Sequence, residues 1–316
     1  MVITDFDKYY MNFPSLDREE DFVPFWEKAV ADIRKIPLEL SANKDKKKTS
    51  GAFAYTTLTF RSFMKTQISG VLLTPRQSKN VPVIIVIHDY NHKLEINENL
   101  LDEELAYFFV IMRGHSILNE VDLDEIDEEE TSPGYLIENI LDKETYYVKA
   151  VYLDVLRSID ALRLVANLNC AKIGIIGKGL GAAAGLFTAV NSQRVAALVL
   201  DTPSFCHLSV SQNKSEDDTA REINNYIATA KSMKKKIKLN LSYFDTLNFS
   251  DMIECPVLTT VGFKDMLSPP ECVFGLFNHM ICEKIMEIYP DEGNTAGGEE
   301  QFKKSIRWIK EKLFTA

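Results

Sequence analysis

From Val81 onward the chain alternates short apolar runs with longer stretches of helical period. The runs at 83–87, 108–112, 173–177, 196–200, 257–261 and 285–289 are each bounded by turn or polar residues. Unbroken apolar runs of this length suit strands buried on both faces of a parallel sheet. Between them, residues 145–167 repeat apolar side chains at Val148, Val151, Tyr152, Val155, Ile159, Leu162 and Ala166, the spacing of a helix stripe, and 299–314 reads as a closing helix. The alternation predicts an α/β fold in which helices flank a mostly parallel central sheet.

Two stretches depart from this rhythm. Residues 21–35 form an amphipathic helix with Phe22, Phe25, Trp26 and Val30 on one side, and strand-like segments follow at 53–60 and 68–73. This reads as an N-terminal extension, within 1–80, standing before the main sheet. Residues 202–250 interrupt the alternation with polar and helical sequence, an insertion suited to capping the carboxyl edge where open α/β sheets bind ligands. No repeat or Pro/Gly-rich linker divides the chain, so a single domain over 1–316 is expected.

Hydrophobic residues make up 46% and charged residues 26%, enough for a substantial core without staples. The balance of 36 basic against 46 acidic residues opposes phosphate backbones and anionic lipid, so neither nucleic acid nor membrane is expected as a partner. The first ten residues are acidic and aromatic rather than basic then apolar, and no stretch approaches the roughly 18 apolar residues of a membrane span, which predicts a cytoplasmic protein. Five cysteines lie far apart without a CxxC pair, which predicts buried reduced thiols and no zinc site. Residues 120–130, EVDLDEIDEEE, carry acids at eight of eleven positions but lack EF-hand spacing, so they read as a solvated loop. The lysines at 231, 234, 235, 236 and 238 read as a solvated face.

Candidate chemistry concentrates at 173–185, IGIIGKGLGAAAG, where a buried strand enters a glycine-rich turn and a small-residue helix. In one reading Gly177-Lys178-Gly179-Leu180-Gly181 stands in the place of a Gly-x-Ser-x-Gly nucleophile elbow, with Gly179 where the nucleophile belongs. In another, Gly177, Gly179 and Ala182 fit a dinucleotide fingerprint, with Asp201 as the ribose-binding acid. The plain alternative is a tight βα turn whose glycines serve only packing.

A wider pattern bears on this choice: DFVPFWEKAV at 21–30, HDYN at 88–91, MRGH at 112–115, GYLIENILDKETYYVKAVYLD at 134–154, DTPSFCHL at 201–208, LSYFDTLNFS at 241–250 and VGFKDMLSPP at 261–270. With these segments, in this order, the chain resembles the family 7 carbohydrate esterases over nearly its whole length. These are the acetyl xylan esterase and cephalosporin C deacetylase group of α/β-hydrolases. The resemblance implies an α/β-hydrolase fold, no cofactor, an acetylated sugar or other small molecule as ligand, and homo-oligomers built as hexamers. It also implies three signatures, Arg-Gly-Gln, Gly-x-Ser-Gln-Gly and a late His-Glu, and all three are altered. Arg113 and Gly114 persist but Gln becomes His115; the serine becomes Gly179 and the Gln after it Leu180; the His-Glu pair falls on Asn294-Thr295. The acid persists as Asp265.

By the same resemblance, the backbone N–H groups of Tyr90 and Leu180 are the oxyanion donors. Glycine supplies no nucleophile and asparagine does not shuttle protons near neutral pH, so the resemblance implies an inactive homologue that keeps a ligand pocket. Two alternatives stand beside it: an active esterase that uses Ser116 or Ser268 with His115 as base, and a dinucleotide-binding protein. Cys206-His207 reads as structural, and His88 and His92 as hydrogen-bonded loop residues rather than metal ligands.

Overall fold

The computed structural model describes residues 5–45, 51–90, 92, 94–115, 134–214 and 218–315. Its strands are β1 (Ser41–Lys44), β2 (Phe53–Arg61), β3 (Gln67–Pro75), β4 (Val81–Ile87), β5 (Ala106–Val110), β6 (Leu168–Lys178), β7 (Val195–Asp201), β8 (Val257–Gly262) and β9 (Lys284–Tyr289). They form one sheet in the order β1-β2-β3-β5-β4-β6-β7-β8-β9. From β5 to β9 every neighbouring pair is parallel, whereas β1, β2 and β3 pair antiparallel with one another and β3 pairs antiparallel with β5.

The helices are α1 (Asp5–Tyr10), α2 (Phe22–Lys35), α3 (Tyr147–Leu162), α4 (Leu180–Asn191), α5 (Leu208–Lys214), α6 (Asp218–Thr229), α7 (Lys234–Ser242), α8 (Pro270–His279) and α9 (Gly298–Phe314). They explain why the strand runs are unbroken, because each strand feeds two cores. In β4, Val83, Ile85 and Ile87 join the core shared with α2, α3, α4 and α8, while Ile84 and Val86 join the core beneath Ile306, Ile309 and Leu313 of α9. In β7, Leu198 and Leu200 part from Ala197 and Val199 in the same way.

The reading of residues 1–80 as an extension ahead of the main sheet needs correction. β2 and β3 lie within the sheet and bury side chains in both cores, Leu58, Phe60 and Leu72 in one and Phe53, Tyr55, Val71 and Leu73 in the other. They enlarge the existing cores and have none of their own. β1 escaped the pattern because all four of its residues are exposed, so backbone pairing alone defines it.

The 202–250 insertion folds as α5, α6, α7 and a 3-10 turn at Thr246–Met252. Trp26 of α2 donates its indole N–H to the Tyr243 carbonyl at 3.0 Å and packs on Phe187 with centroids 4.4 Å apart, tying the N-terminal helix to this cap. α6 reaches over the carboxyl edge of the sheet, where Glu222 accepts from the Tyr90 hydroxyl at 3.1 Å and from the Leu136 N–H at 2.7 Å.

Candidate active site

The glycine-rich turn is sharp because three backbones must meet there. Gly179 caps α4 at φ 52° and ψ −118°, a region that strains any residue with a side chain. Gly181 lets α4 lie against the end of β4, where an added Cβ would stand 2.5 Å from the His88 carbonyl oxygen. The Gly179 N–H donates to the Asp201 carbonyl at 3.0 Å, and the Ser204 N–H donates to the Gly179 carbonyl at 3.2 Å, so the turn is fastened on both sides.

The space in front of Gly179 is filled by Asp89. An ideal Cβ at position 179 would fall 2.0 Å from the Asp89 carboxyl carbon and 2.0 and 2.2 Å from its two oxygens. Asp89 Oδ1 accepts from the Tyr90 N–H at 2.7 Å and from the Leu180 N–H at 2.8 Å. These are the two donors that the resemblance implies for an oxyanion. A carboxylate of the protein's own therefore sits on both of them and at the N-terminus of α4, where the helix dipole favours negative charge. Burial raises the Asp89 pKa, and the two N–H bonds pull against that rise.

The corner at Asp265 is held by backbone donors and has no side-chain partner among the described residues. Asp265 follows β8 and is buried, its Oδ1 accepting from the N–H groups of Leu267 at 2.8 Å and Ser268 at 2.9 Å. Its Oδ2 is buried without a hydrogen-bond partner among the described residues. Burial pushes the carboxyl up to about 6, a rise that Asp89 reinforces and Lys178 opposes. The 290–297 loop lies alongside, fastened by the Lys264 N–H to the Glu292 carbonyl at 2.9 Å. An added Cβ on Gly293 would stand 3.9 Å from Asp265 Cα, which puts Asn294 one residue from the acid's own loop. Asn294 itself is half-buried and makes no side-chain hydrogen bond among the described residues.

The remaining sequence candidates are turned to other tasks. The Arg113 guanidinium grips Asp154 in a fork of 2.7 and 2.8 Å. His115 faces two carbonyl oxygens, Nδ1 toward Arg113 at 3.2 Å and Nε2 toward Tyr90. Neither nitrogen is left with a lone pair aimed at a nucleophile, as a general base requires. Ser268 is buried and donates its hydroxyl to the Thr202 carbonyl at 2.9 Å. Ser116 and the acidic stretch 120–130 lie outside the described residues. His88 accepts from the Met112 N–H at 3.0 Å and donates from Nδ1 to the Asp89 carbonyl at 2.7 Å, and burial lowers its pKa to about 4. The Cys206 thiol is raised well above its ordinary value by burial, which leaves it no nucleophile, and all five cysteines are free. Three of them, Cys170, Cys255 and Cys282, are only half-buried.

The dinucleotide reading fails on the same geometry. A pyrophosphate at the N-terminus of α4 would meet the Asp89 carboxylate, and Asp201 already accepts from the Thr260 hydroxyl at 2.6 Å with Lys178 3.8 Å away. No group of three or more His, Cys, Asp or Glu suited to a metal occurs among the described residues.

The acetyl xylan esterase (AXE1) family model matches residues 1–312. The chain belongs to this family. The acetyl esterase Axe7A of Xylanibacter ruminicola is 26% identical over 313 residues, covering 95% of this chain and 69% of that protein. Among solved structures, an acetyl xylan esterase from Paenibacillus sp. R4 superposes with a TM-score of 0.87 at 24% identity, covering 97% of this chain and 99% of that one. Acetyl xylan esterase 1 from Thermoanaerobacterium sp. JW/SL YS485 gives 0.84 at 18% identity, covering 99% and 100%. The acylaminoacyl peptidase of Pyrococcus horikoshii gives 0.60 at 15% identity over 84% of this chain and 43% of its own, and the shared architecture is the α/β-hydrolase fold.

Within this acetyl xylan esterase family member, sequence reasoning missed Asp89, Lys178 and Glu222. The signal for Asp89 was present in HDYN, an acid wedged between a strand end and Tyr90. Motif comparison asks what replaced a side chain at its own position, and the space at 179 is filled from ninety residues upstream. A separate cavity of about 40 Å³ lies between the cap and the loops after β7 and β8, lined by Ser204, Phe205, Ile223 and Leu267 among others.

Proposed function

We propose that this member of the acetyl xylan esterase family does not hydrolyse acetyl esters, and that its Ser and His positions are Gly179 and Asn294. The observation that carries the reading is the Asp89 carboxylate, seated where a nucleophile's side chain would stand and bonded to both N–H donors. Ester hydrolysis needs a nucleophile, a base beside it, and donors free to receive the oxyanion as it develops. Position 179 offers no side-chain oxygen, Asp265 Oδ2 has no imidazole partner among the described residues, and the Asp89 carboxyl group occupies the donors. Loss of the triad alone costs on the order of a millionfold in turnover, and a carboxylate on the donors removes the residual catalysis an empty hole retains.

The proposal extends to an acetylated sugar or related small molecule as ligand, to assembly as a homo-oligomer and to a cytoplasmic setting. Titration with acetylated xylo-oligosaccharide, sedimentation velocity and cell fractionation test these separately.

The deciding experiment compares p-nitrophenyl acetate hydrolysis by the wild-type protein, a Gly179→Ser/Asn294→His double variant and a triple variant that adds Asp89→Gly. Wild type and the double variant are expected at the buffer rate, with turnover only in the triple variant. Wild-type turnover above buffer would overturn the reading.

A further inference from the structure

A concavity with a pronounced charge lies at the opposite end of the sheet. Its volume is about 510 Å³, and its lining includes Arg34, Arg157, Arg163, Arg194, Asp160 and Ser192 over a floor of Ile33, Leu156 and Ile159. The last turns of α2 and α3, the C-cap of α4 and the approach to β7 all meet here. Following β6 from Cys170, whose carbonyl accepts from Arg194 at 3.0 Å, to Lys178 beside Asp201 spans about 25 Å, so the groove is separate from the site at Gly179.

Arginines at helix C-termini are often there only to offset the helix dipole, and here the charges exceed that need. Three helix ends contribute roughly half a negative charge each, and Asp160 one more, against four guanidinium groups. A surplus of about one to two positive charges is left in a concavity of a chain whose formal net charge is −10.

The guanidinium groups also differ in how far they are engaged. Arg157 is buried, with Nη1 on Asp160 at 2.6 Å, Nη2 on the Ile36 carbonyl, and a buried Nε that has no partner among the described residues. Arg194 spends one nitrogen on Cys170. Arg34 and Arg163 are exposed and make no hydrogen bond or ion pair among the described residues. Two anchored and two free forks around one groove match the several oxygens of a phosphate, and a volume of about 510 Å³ leaves room for the organic body of a phosphate ester.

We propose that this groove is a binding site for a small organic phosphate. The site does not depend on whether the Gly179 region is catalytic.

The test is isothermal titration of the full chain at fixed ionic strength with AMP, inorganic phosphate and citrate. AMP is expected to bind one per chain, more tightly than inorganic phosphate because the groove also holds the organic body, and more tightly than citrate because of the phosphate. An Arg34→Gln/Arg163→Gln variant, which touches no buried contact, should bind AMP at least about tenfold more weakly, as the loss of charge-assisted contacts requires. A Lys234→Gln/Lys235→Gln variant, altered on exposed residues of α7, should bind as wild type does. The proposal falls if wild type shows no saturable AMP binding, or if the arginine variant binds unchanged. It falls equally if the lysine variant loses as much, or if citrate or inorganic phosphate matches AMP.

Discussion

The two ends of the sheet have opposite characters. At the carboxyl end a glycine turn, two inward N–H groups and the Asp265 loop come together, and a buried carboxyl group fills the space before Gly179. At the amino end no motif announces anything, yet an open groove of about 510 Å³ holds two guanidinium groups without partners among the described residues. Where a side chain disappears from a close-packed region, a neighbour that can satisfy the exposed donors takes the space. Where charges line a surface groove, no such pressure operates. The carboxyl end should therefore be brittle toward substitution and the amino end tolerant.

The sharpest contrast comes from Gly179→Ser. Its Cβ would fall 2.0 Å from the Asp89 carboxyl carbon at a positive φ, and a loss of about 3–5 kcal/mol is expected from overpacking and strain together. Urea unfolding checks this, and adding Asp89→Gly should recover about 2 kcal/mol of it, a coupling that independent sites do not show. A Gly179→Ser variant as stable as wild type would mean that Asp89 does not hold this position.

Asp89→Gly by itself comes next. It bares the Tyr90 and Leu180 N–H groups and should lower stability by about 1–3 kcal/mol, measured the same way.

Asp265→Asn works in the opposite direction. The Asp265 carboxyl is pushed up to about 6, above its unfolded value near 3.9, so the folded protein holds that proton more tightly than the unfolded chain does. The associated stability is fully present below about pH 4 and is lost as pH rises through 6. The asparagine removes the charge and keeps an acceptor for Leu267 and Ser268, so the variant should be more stable than wild type by about 1–3 kcal/mol at pH 8, with no difference below pH 4. Melting temperatures across this range decide the matter.

At the amino end, Arg163→Gln should change stability by less than about 0.5 kcal/mol, since the side chain is exposed and contacts nothing that depends on it. A larger loss in the same melts would erase the contrast between the two ends.

Most of the fold was legible because burial on two faces writes itself as unbroken apolar runs, as in 83–87 and 257–261, and β4 and β8 follow within a few residues. β1 was not, since four exposed residues leave no pattern. The geometry around the candidate site was legible wherever it is tied to a residue's own position: Gly179 lies in the turn and Asp265 after its strand. It was illegible where function depends on who fills a space. Neither Asp89 on the N–H donors nor Glu222 beneath Tyr90 follows from any spacing along the chain.

The seat taken by Asp89 also ties positions 89 and 179 together under any future substitution. A side chain at 179 meets an occupied space, and removing the Asp89 side chain leaves two bare donors. Each single change costs the fold, so the two positions can vary freely only as a pair.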